Sequence, residues 1–372
     1  MKINLVMIVK NEERSLRQCL RAARPLVDEM IVVDTGSTDR TRELAREAGA
    51  KVYEFAWVQD FSAARNFALE QSDADWNLVL DADEYLRPVK RKVMTASLAA
   101  GDERYGKGKW MGAILRFDSF RDSSGPKSAE PAGAPVSVSS ALLPRVLPRG
   151  IRYRGIIHEQ PDTEIPCRLI PLQADHDGYL LEGKSRRNLE YLREAVEQEP
   201  ENPYYWYQMA ITLRDVGELE ESLPWFRRLF REGQQDVGYW TDGILRYLYT
   251  LMDLETADTL AEAKETVDSV RPALGTRADF CFVCGIFYTK LVLSDVQRYI
   301  AYLPRIEESY LECLRIGEHP ELETVAGTGS FKAAYNLGLW YELSGQPQKA
   351  RIYYQRSAKE GYGPAKERLR LV

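Results

Sequence analysis

Histidine is nearly absent from this chain of 372 residues, which carries three, and cysteine is sparse, with five scattered copies. An odd, scattered cysteine set builds no disulfide framework in a chain of this length and fits a reducing cytoplasm, the expected location. Long hydrophobic runs are lacking too: none approaches the roughly 18 residues of a membrane span. The apolar start Ile3–Val9 runs straight into Lys10-Asn11-Glu12-Glu13 with no small-residue cleavage site, so it reads as a first strand rather than a leader. Positive charge is not in excess. With 50 Lys and Arg against 56 Asp and Glu, the net charge of −6 provides no general field for nucleic acid or anionic lipid. Neither G-x-x-x-x-G-K-[ST] nor G-x-G-x-x-G occurs, which speaks against a P-loop nucleotide hydrolase and a dinucleotide-dependent dehydrogenase.

What is present is a globular balance, 44% hydrophobic and 28% charged, in a chain long enough for two or three domains. The first part alternates strand and helix patterns, the signature of an α/β fold with a parallel sheet. Ile3–Val9, Met30–Val33, Lys51–Phe55 and Trp76–Leu80 read as strands, and Glu13–Ala23, Arg40–Ala48 and Ser62–Gln71 as the intervening helices. Trp110–Phe117 is another strand. Ser119–Ser140, rich in Ser, Pro, Gly and Ala, reads as a long mobile loop, either a flap over substrate or a plain insertion. Order returns at Leu142–Leu147 and Tyr153–Glu159.

From residue 183 the pattern becomes helical and repetitive. Pro203–Asp236 and Phe331–Pro364 fit the 34-residue tetratricopeptide pattern, and Tyr239–Pro272 and Ala278–Gly317 fit it in part. Each helix pair buries its apolar face only against a neighbour, so a stack of about four is expected. The expected division is therefore an α/β domain at 1–182 and an all-α repeat domain at 183–372. Cys281-Phe282-Val283-Cys284 lacks a second cysteine pair and falls on inward repeat positions, which reads as packing rather than a redox or zinc site. The cluster Tyr204-Tyr205-Trp206-Tyr207 reads mainly as repeat core, with a ring or two left for a groove.

Ligands of parallel sheets gather beyond the carboxyl ends of the strands. Asp34 ends the second strand there, and Asp81 and Asp83 end the fourth, where a period-2 backbone would aim both acids to one side. Paired acids are unfavourable unless a cation neutralises them, and a divalent metal holding a diphosphate would do so. An exposed acidic turn is the alternative.

The segments Ile8-Val9-Lys10-Asn11-Glu12-Glu13, Val32-Val33-Asp34-Thr35-Gly36-Ser37-Thr38-Asp39, Arg65-Asn66, Leu80-Asp81-Ala82-Asp83-Glu84 and Ile157-His158-Glu159 resemble, in order and spacing, the family-2 glycosyltransferases with the GT-A fold. With its repeat tail the chain is most similar to the bacterial subgroup of sublancin-type S-glycosyltransferases. The resemblance implies that Asp34 contacts the nucleotide base, that Asp81 contacts ribose or sugar, and that Arg65 faces the donor pocket. Asp83 would be a metal ligand for Mg2+ or Mn2+, and His176 a second metal ligand or a phosphate contact. Glu159 would be the catalytic base, with Asp177 and Glu84 as rivals. Lys10 and Glu12 are donor-pocket candidates or a polar turn, Asp39 is a ligand or a helix cap, and Arg145 is a donor or acceptor contact within Arg-Val-Leu where the family often has Arg-Leu-Phe. Relatives of this kind imply a homodimer, though no feature marks its interface.

The expected function is inverting, metal-dependent transfer of a sugar from a nucleotide diphosphate-sugar, UDP-linked by expectation, to a Cys or Ser side chain of a peptide or protein seated in the repeat groove. One alternative makes the acceptor a cell-surface polysaccharide or a lipid-linked sugar. Another makes the front domain an inactive scaffold whose repeats recruit partners.

Overall fold

The computed structural model describes residues 1–121, 136–178, 184–235 and 237–371. Its contacts form two units, Met1–Gln198 and Glu199–Val372. The expected boundary at residues 182 and 183 lies outside the described residues. Helix Lys184–Gln198 groups with the first unit, whereas the sequence reading assigned it to the repeats.

The seven-residue run β1 (Ile3–Val9) is apolar almost without interruption because both of its faces are covered. Ile3, Leu5, Met7 and Val9 join one core with Leu16, Cys19 and Leu20 of α1 (Leu16–Ala23). Val6 turns the other way, against Ala68 of α3 (Phe61–Glu70) and the strand residues Ile31 and Val33. This is the period-2 alternation of a strand, sending successive side chains to opposite layers. Beside β1 run β2 (Glu29–Asp34), β3 (Lys51–Glu54) and β4 (Trp76–Val79), all parallel, with α2 (Thr41–Glu47) between β2 and β3. The sheet continues through β5 (Glu84–Leu86), β6 (Met111–Arg121), β7 (Val136–Pro148) and β10 (Cys167–His176). Its order is β3-β2-β1-β4-β7-β6-β10-β5. Between β5 and β6 lies α4 (Arg91–Tyr105), and a small hairpin, β8 (Tyr153–Arg154) with β9 (Gln160–Pro161), precedes β10.

Two expectations change. The first helix starts at Leu16, not Glu13, because Asn11 takes a left-handed φ of 56° and the Glu12 carbonyl accepts from the backbone N–H groups of both Ser15 and Leu16. At both ends of the expected loop, 119–121 and 136–140, the chain is strand. β6 and β7 pair antiparallel as far as Arg121 and Val136, because backbone pairing overrides the Ser-rich composition at both ends. Residues 122–135, where a flap was expected, lie outside the described residues.

The second unit is helical. Its helices pair as α6 (Pro203–Asp215) with α7 (Leu219–Glu232), α8 (Gly238–Leu254) with α9 (Ala257–Leu274), α10 (Ala278–Ser294) with α12 (Leu303–Ile316), and α13 (Phe331–Leu343) with α14 (Pro347–Lys359). α5 is the helix Lys184–Gln198 of the first unit; within the second, α11 is Val296–Tyr299 and α15 is Gly363–Arg368. Four pairs stand where four repeats were expected; Asp236, the last residue of the first repeat, lies outside the described residues. The pairs close on small residues: a Cβ added at Gly285 would reach 2.5 Å from the Tyr310 ring, and one at Gly338 would reach 2.6 Å from the Tyr354 ring. Cys281 and Cys284 are buried in α10 as free thiols, which burial pushes up to about 11 and about 12. Among the described residues no helix is long and apolar enough to cross a membrane.

Gly338→Ala sets a helix-propensity gain of about 1 kcal/mol against overpacking of about 1–3 kcal/mol. Tyr354 is fully buried and cannot retreat, so overpacking wins. A thermal melt should show a lower midpoint for the variant; an unchanged or raised midpoint would refute this packing.

Candidate active site

The loops that leave β1, β2 and β4 meet at one edge of the sheet. Those after β1 and β2 are laced together. Asn11 N–H donates to Ser37 Oγ at 2.9 Å, and Thr38 N–H donates to Asn11 Oδ1 at 2.8 Å. Glu12 N–H donates to Thr41 Oγ1 at 2.7 Å, and Arg40 N–H to Glu13 Oε2 at 3.1 Å. Asp39 sits inside this lacing: its carboxylate accepts from Thr41 N–H at 3.0 Å and from Glu13 N–H at 3.2 Å. Burial would raise it, but the Thr41 hydroxyl, which donates to Oδ1 at 2.5 Å, and then these backbone bonds hold it below the usual carboxylate range. The capping position at the start of α2 is held by Arg40, so Asp39 lies one position before it and ties the β1 and β2 loops together. Glu12 accepts from Ser15 Oγ at 2.6 Å, and Lys10 is exposed.

Asp34 ends β2 with Oδ1 accepting from Gly36 N–H at 3.1 Å and Ser37 N–H at 2.9 Å. Gly36 has a φ of 108°, a conformation that lets the turn fold back onto the carboxylate. Asp34 is 1% exposed, and no donor among the described residues reaches its Oδ2. A buried acceptor left open in this way marks a place for an incoming N–H.

The remaining expected residues belong to a chain of alternating charges. Arg65, on α3, donates through Nε to Glu159 and through Nη2 to Asp81 Oδ1 at 2.6 Å. Arg145, on β7, donates through Nη2 to Asp81 Oδ2 at 2.7 Å and to Glu84 Oε1 at 2.6 Å. Arg116, on β6, donates to Glu84 Oε1 at 2.9 Å and pairs with Asp118 at 2.7 Å. Asp118 Oδ1 lies 2.7 Å from His176 Nδ1, and His176 Nε2 lies 3.6 Å from Asp83 Oδ2. The structure therefore brings together Arg65, Asp81, Arg145 and Glu159 at one end, and Asp83 with His176 at the other. Lys10, Glu12, Asp34 and Asp39 belong to the β1 and β2 loops.

Asp81 and Asp83 are not aimed alike by an extended strand, because β4 ends at Val79 and both acids lie beyond it, Asp83 in a turn. Asp81 consequently faces two guanidiniums and Asp83 faces an imidazole. Surrounding protein raises Asp81, but Arg65 and Arg145 overcome this and hold it well below the carboxylate range; a third of its side chain still reaches solvent. Burial would lower His176, yet the bonds to Asp118 and Asp83 push it up to about 9. Asp118 is held below its usual value despite burial, by His176 and Arg116.

Two buried guanidinium groups, Arg65 Nη1 and Arg145 Nε, have no acceptor among the described residues. Buried donors without an acceptor are uncommon in folded proteins. Glu159 is delivered by the loop between β8 and β9, which is tied to α3: Asn66 Oδ1 accepts from Tyr153 N–H at 2.8 Å, Asn66 Nδ2 donates to Tyr153 O at 2.9 Å, and Phe61 N–H donates to Ile156 O at 3.0 Å. Of the rivals, Glu84 is fully buried, and Asp177 is held by Arg14 at 2.8 Å and Tyr85 at 3.2 Å.

Sequence reasoning missed Arg116, Asp118 and Gly178. The signal for the first two was present: a charged i, i+2 pair inside an otherwise apolar strand, both members on one face. Gly178 carried no signal, since only the folded chain shows that a Cβ there would overlap Asp83 Oδ2 and sit 2.5 Å from His176 Nε2.

Residues 5–111 match the family model described as glycosyl transferase family 2. A TPR repeat-containing protein of Synechococcus elongatus is 53% identical over 252 residues, 63% of this chain, and the chain spans 58% of that relative's length. The SPbeta prophage-derived glycosyltransferase SunS of Bacillus subtilis is 26% identical over 318 residues, 82% of this chain and 70% of that protein. A crystal structure of glucosyl-3-phosphoglycerate synthase from Mycobacterium tuberculosis, in complex with Mg2+ and UDP, is 25% identical with a TM-score of 0.26, covering 31% of this chain and 43% of that one.

His158, beside Glu159, has a left-handed φ of 51° and a buried Nε2 with no partner among the described residues, and burial pushes it down to about 4. A histidine lowered on folding favours the unfolded chain once that chain takes up the proton. Its contribution is therefore intact above about pH 6.5 and lost as pH falls toward 4. Between pH 7 and 4.5 this amounts to roughly 2 kcal/mol. His158→Asn, neutral and tolerant of that φ, should flatten this part of the stability profile in urea titrations; an identical slope in both proteins would refute it.

Proposed function

We propose that this chain, whose first unit carries a family-2 glycosyltransferase domain followed by tetratricopeptide-like helix pairs, transfers a sugar from a UDP-sugar to a Cys or Ser side chain of a peptide or protein. The observation that carries the reading is the buried alternation of charge around Arg65. One guanidinium spans Glu159 and Asp81 and keeps a third nitrogen for an anion, so a base and a diphosphate contact lie within the reach of one side chain.

In this reading the base of the donor meets Asp34, whose open Oδ2 accepts a ring N–H. Asp81 receives the ribose or sugar hydroxyls, and Arg65 and Arg145 take diphosphate oxygens through their unmatched N–H groups. Glu159, 10% exposed at its side chain, removes the proton of the acceptor hydroxyl or thiol as that atom attacks the anomeric carbon opposite the diphosphate. The bond from carbon to the diphosphate oxygen breaks with inversion, and UDP leaves with its electron pair.

The residues present fit a divalent cation. Asp83 and His176 supply an oxygen and a nitrogen ligand side by side, with His176 Nε2 3.6 Å from Asp83 Oδ2. The glycine at 178 leaves open the space that a Cβ would fill between Asp83 and His176. Among the described residues no three or more His, Cys, Asp or Glu side chains form a metal cluster, so Asp83 and His176 would share the cation with phosphate and water, as Mg2+ and Mn2+ sites commonly do. When bound, the cation supplies charge stabilisation to the departing diphosphate.

The second unit is the proposed acceptor-binding element. Tyr204, Tyr207 and Tyr239 are half-buried with ring centroids 5.3–6.2 Å apart, and an aromatic cluster of this kind suits contact with a peptide. The negative net charge argues against nucleic acid as a partner.

The test is slow release of UDP from UDP-sugars with manganese, followed by mass spectrometry of peptides offered with them. The chain should release UDP. Asp83→Ala and Gly178→Ala should each lower that rate at least tenfold with the fold retained, and a chain inert with every metal and sugar would favour the scaffold reading. Because a thiol is partly ionised near neutral pH, Glu159→Gln should slow transfer to oxygen far more than transfer to sulfur; equal losses on both acceptors would refute proton removal by Glu159.

A further inference from the structure

We infer that Asp118 is a positioning residue: it holds the His176 imidazole so that Nε2 faces the cation beside Asp83. This rests on the reading above, in which Asp83 and His176 share a divalent cation.

Asp118 and His176 are register partners on the parallel strands β6 and β10, so the sheet itself sets their side chains next to each other. The contact is short, 2.7 Å from His176 Nδ1 to Asp118 Oδ1, and both residues are buried, at 8% and 5% exposure. A carboxylate at Nδ1 keeps the proton on that nitrogen. The lone pair is then left on Nε2, the atom that faces Asp83 Oδ2 at 3.6 Å.

The carboxylate is fixed in its turn. Arg116, two residues earlier on the same face of β6, pairs with Asp118 and also donates to Glu84 Oε1. Glu84 on β5 is the register partner of His176 on the other side of β10. His176 thus lies between two acids on neighbouring strands that share one guanidinium. Arg116 is shared between Asp118 and Glu84, so Asp118 keeps a second contact to the imidazole. The contact determines the ring orientation. Gly178 completes the arrangement, since a Cβ there would overlap Asp83 Oδ2 and lie 2.5 Å from His176 Nε2.

Partners of this kind typically contribute 10–100-fold to metal affinity. The experiment is calorimetric titration of manganese into the full chain with saturating UDP, for the unaltered protein, Asp118→Asn, His176→Gln and the double variant. Asp118→Asn keeps the shape and removes the charge. It should weaken manganese binding about 10–100-fold while UDP binding without metal stays unchanged. In the His176→Gln background the same substitution should add no further loss, which a general structural defect would not reproduce. If Asp118→Asn does not fold, Asp118→Glu, which keeps the charge beside Arg116 and displaces the carboxylate, is measured the same way and should also weaken manganese.

Manganese binding by the folded Asp118 variant equal to that of the unaltered chain overturns the inference alone, as does an equal loss in both backgrounds. No manganese uptake by the unaltered chain with UDP overturns the underlying reading and the inference together.

Discussion

Charges removed from water must be paired, and at the edge of this sheet they are paired in series. Glu159, Arg65, Asp81, Arg145, Glu84, Arg116, Asp118, His176 and Asp83 follow one another as alternating acids and bases, most of them nearly inaccessible to solvent. An isolated buried ion costs several kcal/mol, and a pair recovers that only with good geometry and further hydrogen bonds. The members come from α3, the turn after β4, β5, β6, β7, β10 and the loop between β8 and β9. No local segment can assemble the series, so it exists only when the whole sheet has closed.

This dependence links the fold to the proposed chemistry. In that proposal Arg65, held by two acids, meets the diphosphate through Nη1, the nitrogen with no acceptor among the described residues, so its acid contacts persist and the surrounding protein need not rearrange. Burial would lower His176, but its hydrogen bonds to Asp118 and Asp83 push it up to about 9. The second unit works on a different principle. Its helix pairs are held by apolar contact and by glycines such as Gly285 and Gly338 that let an aromatic ring approach a helix backbone.

Much of this was legible beforehand. Ile3–Val9 and Met30–Val33 are apolar runs that fit only strands covered on both faces, and the spacing of Trp206, Gly217 and Phe226 follows the geometry of stacked helix pairs. The loop motifs around Asp34, Asp81-Ala82-Asp83 and Glu159 were visible because short polar segments between apolar runs must lie at strand ends. Less was visible at the arm formed by β6 and β7, where Ser-rich composition hid a strand pairing held by backbone bonds. The period-2 argument for Asp81 and Asp83 failed because a turn, not an extended strand, carries Asp83.

Order along the chain alone determined the succession of strands and helices, the change to helical repeats and the identity of the acids at the strand ends. These depend on periodicity and on neighbours within a few residues. Which acid meets which base was decided only in three dimensions. Asp118 and His176 are 58 positions apart, and Arg65 and Glu159 are 94 apart. Register across β6 and β10, and the tie between α3 and the Tyr153 backbone, bring them within bonding distance. Pairing energy falls steeply once water separates two charges, so the partner of a charged residue is set by distance through space, and that distance is fixed when the strands align.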